Sequence, residues 1–178
     1  MTLTADTETA TAGMTDTGLL ILRIAIGATM LQAGLIKAFD FGTAVGFMES
    51  SGWRLPGFAT FMVTAAETLG GIGLLLGVLT PLAACAVIGA MVDAWAVNVS
   101  ADAFWSQPFN VPFLAAFAAA ALLFTGAGAF SVDDRAFGRS RVSARAAVGL
   151  LVIGVAAAVV TWVALNGTNP IHITSATG

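Results

Sequence analysis

Apolar residues in this chain come in long runs rather than in alternation. Glycine, proline or charge cuts the runs at intervals of about twenty residues, the length of helix that crosses the hydrocarbon core of a bilayer. The pattern predicts five transmembrane helices, at about 18–39, 58–79, 82–99, 111–130 and 146–165. Only Thr80-Pro81 separates the second from the third, the loop SADAFWSQPFN joins the third to the fourth, and SVDDRAFGRSRVSAR joins the fourth to the fifth. Residues 1–17, rich in Thr, Ala and acid, show no apolar periodicity and read as a mobile acidic tail. The tail has no Lys or Arg and therefore lacks the positive region of a secretory signal, so the first apolar run is expected to remain in the protein.

Composition agrees with an all-α, polytopic transmembrane bundle. Of 178 residues, 58% are hydrophobic and 10% charged, more apolar and much less charged than a soluble domain. A single cysteine, Cys85, excludes an internal disulfide and a dithiol, and a single histidine, His172, excludes a metal or haem site built from several histidines. No metal site is expected. The net charge of −3 arises largely from Asp6, Glu8 and Asp16, and no basic surface suits nucleic acid. Arg135, Arg139, Arg141 and Arg145, four of the seven basic residues, crowd the loop after the fourth run and mark it as cytoplasmic. Counting from that loop places the N-terminus in the cytoplasm and the C-terminus outside. Within it, Ser131 and Asp134 have the spacing of a helix capping box.

The stretch 67–81, ETLGGIGLLLGVLTP, holds one carboxylate and four glycines in an otherwise apolar run. Charge at membrane depth is costly, so Glu67 must face protein or water and needs a partner. The pair Gly73 and Gly77, together with Gly70, offers a close-packing surface to a neighbouring helix. On the first helix Arg23, Gly27, Met30, Gly34 and Lys37 recur in steps of four and three and share one face, with Gly27 and Gly34 expected to pack. Gln32 lies opposite, placed to hydrogen-bond another helix or to reach the interface. On the third helix Asp93 shares a face with Ala86, Gly89, Ala90 and Ala96. These positions assemble an expected pocket of Lys37, Glu67 and Asp93 with Arg23 below it. Arg23 and Lys37 have a second reading as basic chains that reach for the membrane surfaces, and Glu67 as a carboxyl that only locks the bundle. Trp95, Phe104, Trp105 and Phe109 read as an interfacial aromatic belt. Neither 70–73 nor 125–128 completes a phosphate-binding fingerprint, which excludes nucleotide binding, and the sequons at Asn98 and Asn166 are short enough to arise by chance.

In these residues the chain resembles the DoxX family of small membrane proteins. The matching features are Arg23, Gly34 and Lys37 before Phe39, the run ETLGGIGLLLGVLTPLAA at 67–84, Asp93, and TGAGAFSVD at 125–133. The resemblance extends over about 19–137 and divides the chain into a tail (1–17), a DoxX-like four-helix core (18–137), and an Arg-rich loop with a fifth helix and short polar tail (138–178). Gln32 stands where members of the family often have histidine, and the fifth helix lies beyond the usual four-helix unit, as an added docking surface. The resemblance implies sulfur and redox metabolism, since relatives include subunits of thiosulfate:quinone oxidoreductase and of complexes that protect against oxidative stress.

The function expected is that of a cytoplasmic-membrane subunit of a quinone-linked oxidoreductase, acting on thiosulfate or another small sulfur compound or in redox-stress defence. Arg23, Lys37 and Gln32 would bind an anion or a quinone carbonyl, and Glu67 and Asp93 would carry protons as the quinone is reduced. The partners expected are the bilayer, a soluble or membrane redox protein and a second copy of the chain. A small-solute carrier or channel, and a structural anchor for a soluble enzyme, are the alternatives.

Overall fold

A computed structural model describes residues 2–138 and 141–173, with side chains from residue 12 onward. Arg139 of the arginine cluster, the side chains of Asp6 and Glu8, and residues 174–178 lie outside it. All regular structure among the described residues is helical: α1 Thr2–Phe39, α2 Phe41–Ser50, α3 Pro56–Leu76, α4 Thr80–Ser100, α5 Val111–Thr125, α6 Val132–Phe137 and α7 Ala144–Leu165. α1 (from Ala12), α3, α4 and α7 are long and apolar enough to cross a membrane.

Three differences from the sequence expectation have local causes. The backbone of residues 2–17 continues α1 as helix, because a nucleated helix propagates cheaply through a stretch free of proline. The fourth apolar run ends early. Gly126, at φ 86° and ψ −175°, stops α5 after 15 residues, about 22 Å of helix. Residues 126–128 then continue as buried non-helical backbone, which membrane depth tolerates where protein covers it. Finally, α2 forms where a loop was expected, started by Asp40, whose side chain accepts from Thr43 N.

α1 packs mainly on α3, while α4 holds α3, α5 and α7 around it. The α1–α3 contact is close because glycines face each other across it. A Cβ on Gly71 would stand 2.5 Å from Leu31 N and 2.9 Å from Gly27 O, one on Gly27 2.8 Å from Leu75 N, and one on Gly34 would strike Thr68. Gly70 and Gly73 make the corresponding approach to Val87 and Ala83 on α4. Gly77 serves differently from the expected packing pair with Gly73. It lies beyond the end of α3 in the left-handed region (φ 64°), where Val78 N donates to Gly73 O at 2.9 Å and closes the helix. A Cβ there would stand 2.6 Å from the Arg23 guanidinium carbon.

Arg23 is the centre of this end of the bundle. It is 1% exposed, and its guanidinium donates to four backbone carbonyls: Nε to Leu74 at 2.9 Å, Nη2 to Leu75 at 3.0 Å, and Nη1 to Ala127 at 2.8 Å and Phe130 at 3.0 Å. The carbonyls in the last turn of α3 lose their i+4 N–H donors when Gly77 ends the helix, and those of the segment after α5 never had them, so one planar donor fork serves both. Asp133 completes the joint. Its carboxylate accepts from Leu79 N and Thr80 N, both at 2.8 Å, and its own N–H donates to Gly77 O at 2.8 Å. These bonds cap α4 and hold Leu79 at φ 49°, a costly left-handed conformation for a residue with a Cβ. Ser131 caps α6 by accepting from Asp134 N at 3.1 Å, at the position where the sequence places a capping box.

Two outcomes follow for thermal unfolding of the detergent-solubilised protein. Gly71→Ala forces α1 and α3 apart and costs about 1–3 kcal/mol as overpacking, whereas Gly42→Ala and Gly46→Ala, where a new methyl meets nothing within 4 Å, leave the transition unchanged or slightly raised. Arg23→Lys keeps the charge but loses the fork, and it destabilises by more than about 2 kcal/mol because buried carbonyls are orphaned. A melt unchanged by Arg23→Lys would show that the joint carries no weight.

Candidate functional site

At the opposite half of the bundle, α3, α4 and α7 enclose a cavity of about 350 Å³. Its walls are mainly apolar: Phe47 and Met48 from α2, Met62 and Val63 from α3, Ala86, Gly89 and Ala90 from α4, and Ile153, Gly154 and Ala157 from α7. The polar groups are few. Lys37, Trp53, Glu67, Cys85, Asp93, Asn98 and Thr161 supply them.

Lys37, Glu67 and Asp93, the three groups expected to share a pocket, all line this cavity. Glu67 sits at the twelfth position of α3, about 17 Å along its axis from Pro56. Its carboxylate is 3% exposed and accepts from Lys37 Nζ at 2.7 Å, and Lys37 also donates to Ala33 O at 3.2 Å. The lysine is 26% exposed and bends back along α1 to reach the acid. Asp93, one helix across, has a buried Oδ1 with no hydrogen-bond partner.

The other two residues expected to bind substrate lie elsewhere. Arg23 does not line the cavity, where it was expected to bind beneath Lys37; four of its five N–H donors go instead to the carbonyls of the α3–α6 joint. Gln32 is exposed on the outer side of α1, as its position in the helical repeat requires, and is likewise absent from the lining. The belt aromatics stay in and around the α4–α5 loop, where Trp95 Nε1 donates to Pro108 O at 2.9 Å and Phe104 packs edge-on against Trp95 and Trp105.

Several contributors were not legible as such. Trp53, 6% exposed, lines the cavity from the turn before α3, meets Trp162 of α7 edge-to-face at 5.7 Å, and has an indole N–H with no partner. Asn166, 5% exposed, donates to Ser51 O at 2.8 Å and accepts from the Thr168 hydroxyl, so its sequon serves as a clamp between the end of α7 and the α2–α3 turn. Arg54 N donates to Leu165 O at 2.7 Å in the same clamp. Gly154 permits α7 to lie on α4, since a Cβ there would be 2.9 Å from Cys85 O. An isolated glycine in an apolar run was the available signal for that contact.

Long apolar helices, exposed apolar side chains such as Ile21, Leu69, Phe117 and Val160 on the outer surface, and buried charge within define a multi-pass membrane protein with an internal cavity. The DoxX family model matches residues 18–101, from within α1 to the end of α4, and supports membership of the DoxX family. The motif at 125–133 and all of α7 lie beyond the matched segment. No curated protein and no solved structure matches the chain.

The ion pair is asymmetric, and that asymmetry is measurable. Lys37→Met leaves Glu67 buried without its cation and costs about 3 kcal/mol, as expected when one partner of a buried pair is removed. Glu67→Gln leaves a lysine near the end of its helix that can turn toward the surface, and it costs under about 1 kcal/mol. Equal losses in the two melting curves would contradict this geometry.

Proposed function

We propose that the protein is the quinone-binding membrane subunit of an oxidoreductase, with the cavity between α3, α4 and α7 as the quinone site. The observation that carries this reading is the cavity itself: about 350 Å³, apolar in its walls, reached by a lysine–carboxylate pair and a second acid at membrane depth. Its size falls in the roughly 300–1,000 Å³ range of small-molecule sites, and a mostly apolar lining with few placed polar groups is their usual character. Two buried polar atoms in the lining, Trp53 Nε1 and Asp93 Oδ1, lack partners; a quinone oxygen can accept from the indole, and a hydroxyl of the quinol can donate to the carboxylate.

A bound quinone would accept two electrons and two protons to become a quinol, the electrons coming from a reduced sulfur compound or a protein partner. The chain's own residues then have distinct duties. Lys37 and Trp53 orient an oxygen by donating to it, Glu67 holds Lys37 in place, and Glu67 and Asp93 are positioned to hand protons inward. The apolar walls from α2, α3 and α7 exclude water. Charge argues against a sulfur oxyanion in the same cavity, because its one cation is already paired and a second acid is present. A sulfur substrate therefore reacts at a partner or at the surface.

The test is extraction of the full chain from its own membranes under mild conditions, with quantification of every co-purifying quinone. Stoichiometric quinone, lowered by Lys37→Met and not displaced by excess thiosulfate, is the expected result. Quinone-free protein that conducts solute in liposomes would replace this reading with a carrier.

A further inference from the structure

We propose that the cavity fills sideways from the bilayer, through the cleft between α3 and α7, and that it selects an uncharged amphiphile whose head group gives one hydrogen bond to Asp93 Oδ1 and takes one from Trp53 Nε1. The proposal rests on the reading of the cavity as a ligand site and specifies both the route in and the chemistry accepted.

The route follows from packing. α3 and α7 each lie against α4, but they make no extensive contact with each other. Met62 on α3 and Ile153 on α7 line the cavity and are also 39% and 59% exposed on the outside of the bundle, and Ala157 beside them is exposed as well. Ile153 lies about 14 Å along α7 from Ala144, and Met62 about 9 Å along α3 from Pro56, so the opening falls at the depth of hydrocarbon. An opening there, with apolar side chains for its rim, meets lipid rather than water. Ions and strongly hydrated solutes do not arrive by that path.

The head-group chemistry follows from the polar atoms. The lining holds one cation and two acids, and the cation is bound to Glu67 at 2.7 Å. An anion entering would meet Asp93 uncompensated, and a cation would have to cross hydrocarbon first. An uncharged head remains. Of the buried polar side-chain atoms that lack hydrogen-bond partners, two belong to cavity residues, the indole N–H of Trp53, itself 6% exposed, and Asp93 Oδ1. An indole N–H only donates, so it requires an acceptor from the ligand. The carboxylate oxygen accepts, so it requires a donor. A hydroxyl together with a second oxygen satisfies both, a pattern that a quinol shares with a diacylglycerol.

Those two sources are separated by measuring the time course and equilibrium extent of binding of decylubiquinol and of dioctanoylglycerol to the full chain in phosphatidylcholine nanodiscs. The variants are Ala157→Trp and Ile153→Trp, which obstruct the cleft from the lipid side, and Asp93→Ala and Trp53→Phe, which remove the recognition atoms. Val152→Trp, on the exposed side of α7 and away from the lining, is the control. Each variant is compared only while it keeps the parent's melting transition. The duplication of cleft and recognition variants means that loss of one fold does not end the test. Expected is binding of decylubiquinol that either cleft variant makes slow to reach equilibrium, that each recognition variant weakens about tenfold, the equivalent of one hydrogen bond, and that Val152→Trp leaves unchanged. If dioctanoylglycerol alone binds with this pattern, the inference stands and the quinone reading falls. If decylubiquinol binds but ignores all four variants, the quinone reading stands and the inference falls. Binding of neither compound overturns both.

Discussion

A single guanidinium sets the architecture on which the cavity depends. Arg23 is buried and bonded to carbonyls from the end of α3 and from the segment between α5 and α6, elements 51 to 107 residues away in sequence. A charge at that depth in an apolar bundle is tolerated because every bond it makes answers a backbone acceptor that lacks its i+4 helical donor. The acid of the same joint, Asp133, ties the start of α4 to the chain that follows α5. With the α3–α4 turn fixed in this way, the register of α3 against α4 is fixed as well. That register puts Glu67 and Asp93 in the wall of one cavity.

The bundle thus separates two uses of buried charge. At the joint, charge is spent on backbone, with four of the five N–H donors of Arg23 bonded to carbonyls. At the cavity, charge is only partly satisfied: Lys37 and Glu67 neutralise each other, while Asp93 Oδ1 and the Trp53 indole keep unused capacity beside a void. Unused polar capacity next to an apolar void is the physical condition for recognising a ligand that is itself mostly apolar. α7 matters to this division. It lies outside the segment matched by the DoxX family model, yet Ile153, Gly154, Ala157, Ala158 and Thr161 form one wall of the cavity. It therefore closes the cavity from outside the matched segment.

Much of this was legible from residue spacing. The face Arg23, Gly27, Met30, Gly34 and Lys37 is turned into the bundle because helical periodicity leaves it no other place, and the cost of an isolated acid in hydrocarbon called for a partner to Glu67, which is Lys37 and not Arg23. Periodicity gives a face but not a destination, however, and Arg23 and Lys37 share a face while serving opposite ends. Deciding between them needed knowledge of which carbonyls are orphaned, and this depends on Gly126 ending α5 early, a tertiary event. Gly71 was overlooked beside Gly73 and Gly77 for a related reason. A four-residue spacing marks small residues on one face, but α1 meets the face that carries Gly71, while Gly77 is needed to end the helix. Trp53 and Asn166 lie in turns, where no periodic signal exists.

The central claim is that this chain binds its ligand in the α3–α4–α7 cavity and uses Arg23 only to build the scaffold. The most direct measurement is an electron cryo-microscopy structure of the protein taken from its native membrane without added ligand. The account predicts ring- or head-group-shaped density between Lys37, Trp53 and Asp93, continuous with a tail that leaves between α3 and α7, and Arg23 bonded to the same four carbonyls. Density for a ligand at the Arg23 guanidinium, or a cavity collapsed by α7 packing on α3, would contradict it.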